Sequence, residues 1–210
     1  MAHLILVRHG ISEWNKKGWW TGWKDPDLAK EGYEEARNAA EKIKDISIDK
    51  AYTADLKRTI QTLDEIKKVL KIKDIPTVID WHLRERNYGD LAGKNKWEMK
   101  AKYGEEQFMK WRRGWDEPIP NGETLKDVYN RAYPYYKSTI LKDLMSGKNV
   151  IISASGNSLR ALVKYIENVP ESEIPKLEIG TGEVYVYEID QKGKMKSKEI
   201  RAINPNKLKV

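Results

Sequence analysis

The residues best placed to do chemistry are Arg8 and His9, which follow the apolar run Leu4-Ile5-Leu6-Val7 and precede Gly10. Four consecutive aliphatic residues fit a strand buried on both faces, as in a parallel sheet, so the polar triplet falls at the strand's carboxyl end. Open α/β sheets bind ligands there. A histidine at that point can act as nucleophile, base or metal ligand, and the arginine before it offers a rigid fork of donors matched to phosphate or carboxylate. Gly10 lets the backbone turn tightly and approach a ligand. Alone, the triplet is equally compatible with a solvated histidine after a strand.

The rest of the chain adds to the chemical reading. Asn149 to Ala154 is a second β-branched run followed at once by Ser155-Gly156-Asn157-Ser158, and then by Leu159, Leu162, Val163 and Ile166 at helical spacing. This repeats the opening arrangement of buried strand, small polar turn and helix N-terminus; side by side, two such turns make an anion site from backbone N–H groups and arginines. Arg58 lies in the first turn of a helix just beyond the short strand Lys50-Ala51-Tyr52-Thr53, within reach of the same sheet edge. Glu85 sits between Arg84 and Arg86, either as an ordinary ion-pair partner or as a proton-transfer group in a basic pocket. Trp14, Trp19, Trp20 and Trp23 crowd a polar, glycine-punctuated segment, which reads as a loop pinned by aromatic burial with indole N–H donors to spare.

The elements that must position these groups alternate in type. Tyr33, Ala36, Ala40 and Ile43 give an amphipathic helix over Lys30 to Ile43, and Leu56, Ile60, Leu63, Ile66 and Leu70 give a second, with Asp55 as its expected N-cap. Thr77-Val78-Ile79 is a strand candidate. Lys96 to Tyr103 and Glu105 to Arg113 read as two short helices, Asp116 to Gly122 as a loop, and Thr124 as the cap of a helix that Pro134 should kink or interrupt. Glu183 to Ile189 is the expected final strand, and the lysine-rich segment 191–210 is expected to be a basic, mobile tail. Strands alternating with helices predict one α/β domain over residues 1–190, a three-layer α/β/α arrangement with a mostly parallel central sheet.

Composition narrows the function classes. With no cysteine among 210 residues, disulfides, thiolate nucleophiles and cysteine-ligated metals are excluded, and only His3, His9 and His82 are available as imidazoles. The net charge of +7 favours anionic partners. Lysines spread along apparent helix faces rather than packed into a basic arm argue against nucleic acid. No apolar run approaches the roughly 18 residues of a membrane span, and no signal-peptide pattern is present, so no membrane role and a cytoplasmic location are expected.

Taken together, Arg8-His9-Gly10, Trp14-Asn15, Thr21-Gly22-Trp23, Leu56-Lys57-Arg58, Glu85-Arg86, Tyr88-Gly89, Asn95-Lys96, Trp111-Arg112-Arg113 and Gly156-Asn157-Ser158-Leu159-Arg160-Ala161-Leu162 carry a family likeness. From Leu4 to about Ile189 the chain resembles the histidine phosphatase superfamily and, within it, the short-form cofactor-dependent phosphoglycerate mutases. The resemblance implies that His9 accepts a phosphoryl group as phosphohistidine. It further implies that Arg8, Arg58, Asn15 and Asn157 hold the phosphoryl oxygens and that Glu85 moves protons. On the same resemblance, Ser12, Thr21, Gly22, Tyr88, Lys96, Arg112 and Arg113 are expected to bind the rest of a small anionic phosphorylated substrate. It implies no metal, priming by 2,3-bisphosphoglycerate, and assembly as a homo-oligomer, a dimer or tetramer.

The chain departs from that pattern at one chemical position. The family's second catalytic histidine belongs immediately before Gly156-Asn157, where this chain has Ser155. Losing one preorganised donor to a transition state costs on the order of 100- to 1000-fold in rate. Ile11 and Arg84 are smaller departures: the first is expected to make the pocket wall more apolar, the second to favour ionised Glu85. A histidine-type phosphatase and a non-catalytic phosphate-binding relative stay open as alternatives.

Overall fold

The computed structural model describes residues 1–204. In chain order the elements are β1 (Ala2–Arg8), α1 (Glu13–Lys16), α2 (Lys30–Glu41), β2 (Lys50–Thr53), α3 (Lys57–Leu70), β3 (Thr77–Ile79), α4 (Lys96–Arg113), α5 (Leu125–Tyr135), α6 (Leu141–Met145), β4 (Val150–Ala154), α7 (Gly156–Glu167), β5 (Val184–Ile189) and β6 (Met195–Ala202). The strands form one sheet in the order β3-β2-β4-β1-β5-β6. Strands β1 to β4 run parallel, while β5 is antiparallel to β1 and β6 to β5.

The two-residue period of β1 explains the layers. Leu4 and Leu6 point into a core shared with Leu125, Val128 and Ala132 of α5 and Leu159 and Leu162 of α7. Ile5 and Val7 point into a second core with Ala36, Ala39 and Ala40 of α2 and Leu63 and Ile66 of α3. Both faces of β1 and β4 are therefore covered, and each fully buried aliphatic side chain stabilises by about 1.5–3 kcal/mol. Because Arg8 pairs with Ala154, the segments Arg8-His9-Gly10 and Ser155-Gly156-Asn157 leave neighbouring strands at one level.

Gly10 and Gly32 set how closely α2 approaches the first of these segments. A Cβ on Gly10 falls 2.2 Å from the carbonyl oxygen of Gly32, and one on Gly32 falls 2.3 Å from that of Ile11. Gly10→Ala is expected to lower stability by about 1–3 kcal/mol in chemical denaturation, since backbone and not a pliable side chain has to move.

Two expectations change on folding, and two others are met. Asp55 does not cap α3: the cap position is Leu56, and Asp55 instead holds Arg84 through Nε at 2.6 Å. The two short helices expected on either side of Gly104 are present: α4 is two helical segments meeting at a kink, where Gly104 has φ 84 and ψ 161. The helix that carries Pro134 is interrupted as expected: α5 ends at Tyr135 and the chain widens into a π-helical turn at Tyr136–Ile140 before α6. The basic tail is corrected most. Gly193, at φ 75, closes a turn on Asp190, and Met195–Ala202 pairs along β5 as an outer strand. Its exposed lysines suit a sheet edge, which is why the segment reads as polar. Residues 205–210 lie outside the described residues.

Candidate active site

His9 follows β1 directly, its amide bonded to the carbonyl of Ala154 on β4 at 3.0 Å. The ring is buried. Its Nδ1 lies 2.7 Å from the carbonyl oxygen of Gly10, which can only accept, so Nδ1 carries the proton and Nε2 keeps its lone pair. Arg58 Nε donates to that Nε2 at 3.3 Å. Burial, then the charges of Arg58 and Arg8, hold the imidazole pKa well below its usual value, so the ring is neutral at pH 7. A neutral imidazole with an unprotonated Nε2 is the nucleophilic form.

Arg58 is fully enclosed and tied by its Nη groups to the carbonyls of Lys24 (3.0 Å) and Gly22 (2.8 Å). Burial lowers its pKa to about 10, which still leaves it charged at neutral pH. Ser155 is buried at the entry to α7, with its hydroxyl 3.5 Å from Arg58 Nη2. Arg8 is anchored by Nη1 to the carbonyl of Ile179 at 2.7 Å.

These groups face a cleft of two connected lobes. The inner lobe, about 370 Å³, is lined by Arg8, His9, Asn15, Thr21, Gly22 and Arg58. The outer lobe, about 470 Å³, is lined by Arg112, Arg113, Asn157, Arg160 and Glu178. Arg8, Trp20, Glu85, Tyr88 and Lys96 border both. Six cations thus face two carboxylates, and Glu178 is already ion-paired with Arg113. Crowding has a cost visible in Lys96: burial first, then the charges of Arg112 and Arg8, lower its pKa to about 7. Burial and Arg113 likewise lower that of Arg112. A site strained by its own positive charge is one that a polyanion relieves.

Glu85 and Asn157 join the lobes. Asn157 Nδ2 donates to Glu85 Oε1 at 2.8 Å and lies 2.9 Å from the Tyr88 hydroxyl. The tryptophan loop is pinned as its composition predicts: Trp20 packs on Tyr88 with ring centroids 4.6 Å apart, and the indole of Trp23 donates to the Glu85 carbonyl at 2.8 Å.

Of the residues singled out from sequence, Ser12 and Ser155 do not line the cleft. Ser12 caps α1, its hydroxyl accepting from Asn15 N–H at 3.3 Å and its own amide donating to Asn15 Oδ1 at 3.1 Å. It shapes the loop that presents Asn15. Ile11 is also absent from the lining and gives its amide to Glu35 at 2.7 Å. Arg84 turns away from the Glu85 carboxylate toward Asp55. Sequence reasoning missed Trp19, Trp20, Gly156, Arg160, Glu178 and Ile179 as cleft residues; Trp19 and Trp20, in the tryptophan-rich loop, and Gly156 and Arg160, within the Gly156 to Leu162 stretch, left a signal. Among the described residues no group of three or more His, Cys, Asp or Glu stands together to hold a metal ion, and no helix is long and apolar enough to cross a membrane.

Comparison with known proteins agrees with this geometry. The model of the histidine phosphatase superfamily (branch 1) matches residues 4–200. The 2,3-bisphosphoglycerate-dependent phosphoglycerate mutase of Chelativorans sp. (strain BNC1) is 47% identical over 199 residues, 94% of this chain and 97% of that one. The mutase of the same name from Bradyrhizobium diazoefficiens is 46% identical over 197 residues, 93% and 95% of the two chains. Among solved structures, Bacillus stearothermophilus YhfR superposes with a TM-score of 0.80 at 25% identity, covering 93% of this chain and 95% of that one. A mycobacterial glucosyl-3-phosphoglycerate phosphatase gives 0.84 at 21% identity, covering 97% and 100%, a likeness of fold. The matched segment begins at the strand that carries Arg8-His9-Gly10 and runs into β6, spanning every residue of the cleft: the chain belongs to branch 1 of the histidine phosphatase superfamily.

Proposed function

We propose that this chain is a phosphoglycerate mutase, interconverting 3-phosphoglycerate and 2-phosphoglycerate through a phosphohistidine at His9 and primed by 2,3-bisphosphoglycerate. One observation carries the reading: a neutral imidazole, its Nε2 unprotonated and facing Arg58, opens into a cleft whose far lobe holds a second set of cations. The inner lobe suits the phosphoryl group in transfer, with Arg8 and Arg58 against its oxygens. Phosphoryl transfer spreads charge over three equatorial oxygens while attacking and leaving groups stay in line, so positioning and fixed cations do most of the work. The outer lobe, with Lys96, Arg112 and Arg113, suits the carboxylate and second oxyanion of a phosphoglycerate. The same lobes fit 2,3-bisphosphoglycerate as phosphoryl donor. Glu85, at the border, takes the proton of the attacking hydroxyl and returns one to the leaving oxygen.

Hydrolysis would need only the inner lobe; a paired-arginine outer lobe favours transfer to a carboxylate-bearing hydroxyl compound over transfer to water. The proposal includes one catalytic domain acting in the cytoplasm as a homo-oligomer. Its test is to incubate the protein with 2,3-bisphosphoglycerate labelled in phosphorus and to follow isomer formation in a coupled assay. Acid-labile label on the chain together with isomerisation supports it; no label at any protein concentration overturns it.

Lys96 gives the reading a pH signature. Its pKa of about 7 in the free cleft means that the ammonium form is lost as pH rises through neutrality, and a bound anion holds that proton on. Affinity for 3-phosphoglycerate is therefore expected to be flat below pH 7 and to fall up to about tenfold between pH 7 and 8, with proton uptake on binding in that range. Calorimetry in buffers of different ionisation enthalpy measures the uptake, and Lys96→Met is expected to abolish both it and the slope.

A further inference from the structure

The Asn157 amide touches partners of opposite demand. Its Oδ1 accepts from Arg160 Nη1 at 2.8 Å, and its Nδ2 faces Glu85 Oε1. A guanidinium can only donate and a carboxylate can only accept, so the two fix which way the amide points. Arg160 is itself immobilised: it is 4% exposed, and its Nη2 donates to the carbonyls of Arg113 at 2.9 Å and Ile174 at 2.8 Å. On the other side, Glu85 Oε1 accepts both the side-chain amide of Asn157 and the Arg86 N–H at 2.6 Å, whereas among the described residues Oε2 has only the Asn157 backbone N–H at 3.5 Å. One carboxylate oxygen is occupied and the other is left open.

We infer that Arg160 is a positioning residue that, through the Asn157 side chain, commits Oε1 of Glu85 to the protein and reserves Oε2 for the substrate proton. This rests on the mutase reading. When a phosphoglycerate hydroxyl attacks phospho-His9, the O–H bond breaks and its proton passes to Oε2. The new P–O bond forms as the P–Nε2 bond breaks, and the electron pair returns to Nε2. With Arg160 gone, the amide keeps only Glu85 and Tyr88 as partners, its Oδ1 is no longer anchored, and its donation to Oε1 loosens. That disfavours the ionised carboxylate. Other charged and titratable groups bordering Glu85 are Arg8 from β1, Arg58 from α3, Lys96 from α4 and the Tyr88 hydroxyl, all of which remain in the variant.

The experiment compares the intact protein with Arg160→Met and Arg160→Lys in the isomerase assay across pH, with label transfer from 2,3-bisphosphoglycerate measured on the intact protein. The expected result for Arg160→Met is a kcat roughly 10- to 100-fold lower, KM within a few-fold, and an acid limb of the kcat profile moved to higher pH. Arg160→Lys, which retains a donor for Oδ1, recovers part of both. A raised KM with kcat and pH profile unchanged overturns the inference, because it makes Arg160 a substrate contact. If Arg160→Met fails to fold, Asn157→Asp tests the same link: its carboxylate cannot donate to Glu85, and an unshifted acid limb overturns the inference. Absence of label on the intact protein overturns the mutase reading and the inference with it, an outcome distinct from the others.

Discussion

His9→Ala is expected to abolish label transfer from 2,3-bisphosphoglycerate and to lower isomerisation on the order of 10⁵- to 10⁶-fold, the scale of losing the nucleophile in a covalent mechanism. No other imidazole can stand in. His3 sits toward the opposite end of β1, beside Glu188 at 4.0 Å. His82 is held by Asp80 at 2.7 Å and stacked on Tyr135 with ring centroids 5.0 Å apart. Neither lines the cleft. The fold should survive, because the variant removes two side-chain bonds, to Gly10 and from Arg58, and leaves the backbone link from His9 to Ala154 in place. The checks are acid-labile label, the coupled assay and a thermal melt on the same preparation. Label that persists in His9→Ala would place the phosphoryl group on another residue and end the account given to Nε2.

Why the role of His9 could be read in the sequence, and the place of Arg160 in the cleft could not, follows from how local each signal is. An aliphatic run closing in Arg8-His9-Gly10 needs only a strand and its end to be recognised, and β4 with Ser155-Gly156-Asn157 repeats the pattern. Period alone also separated the helices, and the capping box at Thr124 and Asp127 marks the start of α5 as expected. Cleft membership is different. Arg160 is one helical turn past Asn157 on a buried face, and an arginine there has no local mark distinguishing it from Arg113, whose backbone carbonyl it binds. Glu178 and Ile179 enter the cleft from a segment far along the chain that has no regular period. Asp55 looked like a cap because caps are read from neighbours in sequence, whereas its ion pair with Arg84 spans 29 residues. The strand β6 was masked because an edge needs apolar residues on neither side; its partner β5 supplies the order.

Ser155→His is expected to raise isomerase activity, by about 10- to 100-fold, where most catalytic substitutions lower it. The position accepts the change in backbone terms: Ser155 is extended, at φ −91 and ψ 165, a conformation open to any L-residue, and its carbonyl bond from Leu159 at 3.0 Å does not involve the side chain. Its hydroxyl points at the same guanidinium that contacts His9 Nε2, so a longer side chain from this site enters the inner lobe beside the phosphoryl group. There, next to Arg58 and at the positive end of α7, an imidazole stays neutral and donates one N–H to a developing oxyanion. One such donor accounts for 100- to 1000-fold in comparable sites, about 2.7–4 kcal/mol. The smaller gain expected here reflects what Ser155 already contributes with its own hydroxyl and the repacking a larger ring imposes on a fully buried site. Parallel assays of Ser155→His and Ser155→Ala decide the matter. If histidine gives no gain in a folded variant while alanine costs tenfold or more, the serine hydroxyl is itself the fitted donor and the site is complete as it stands.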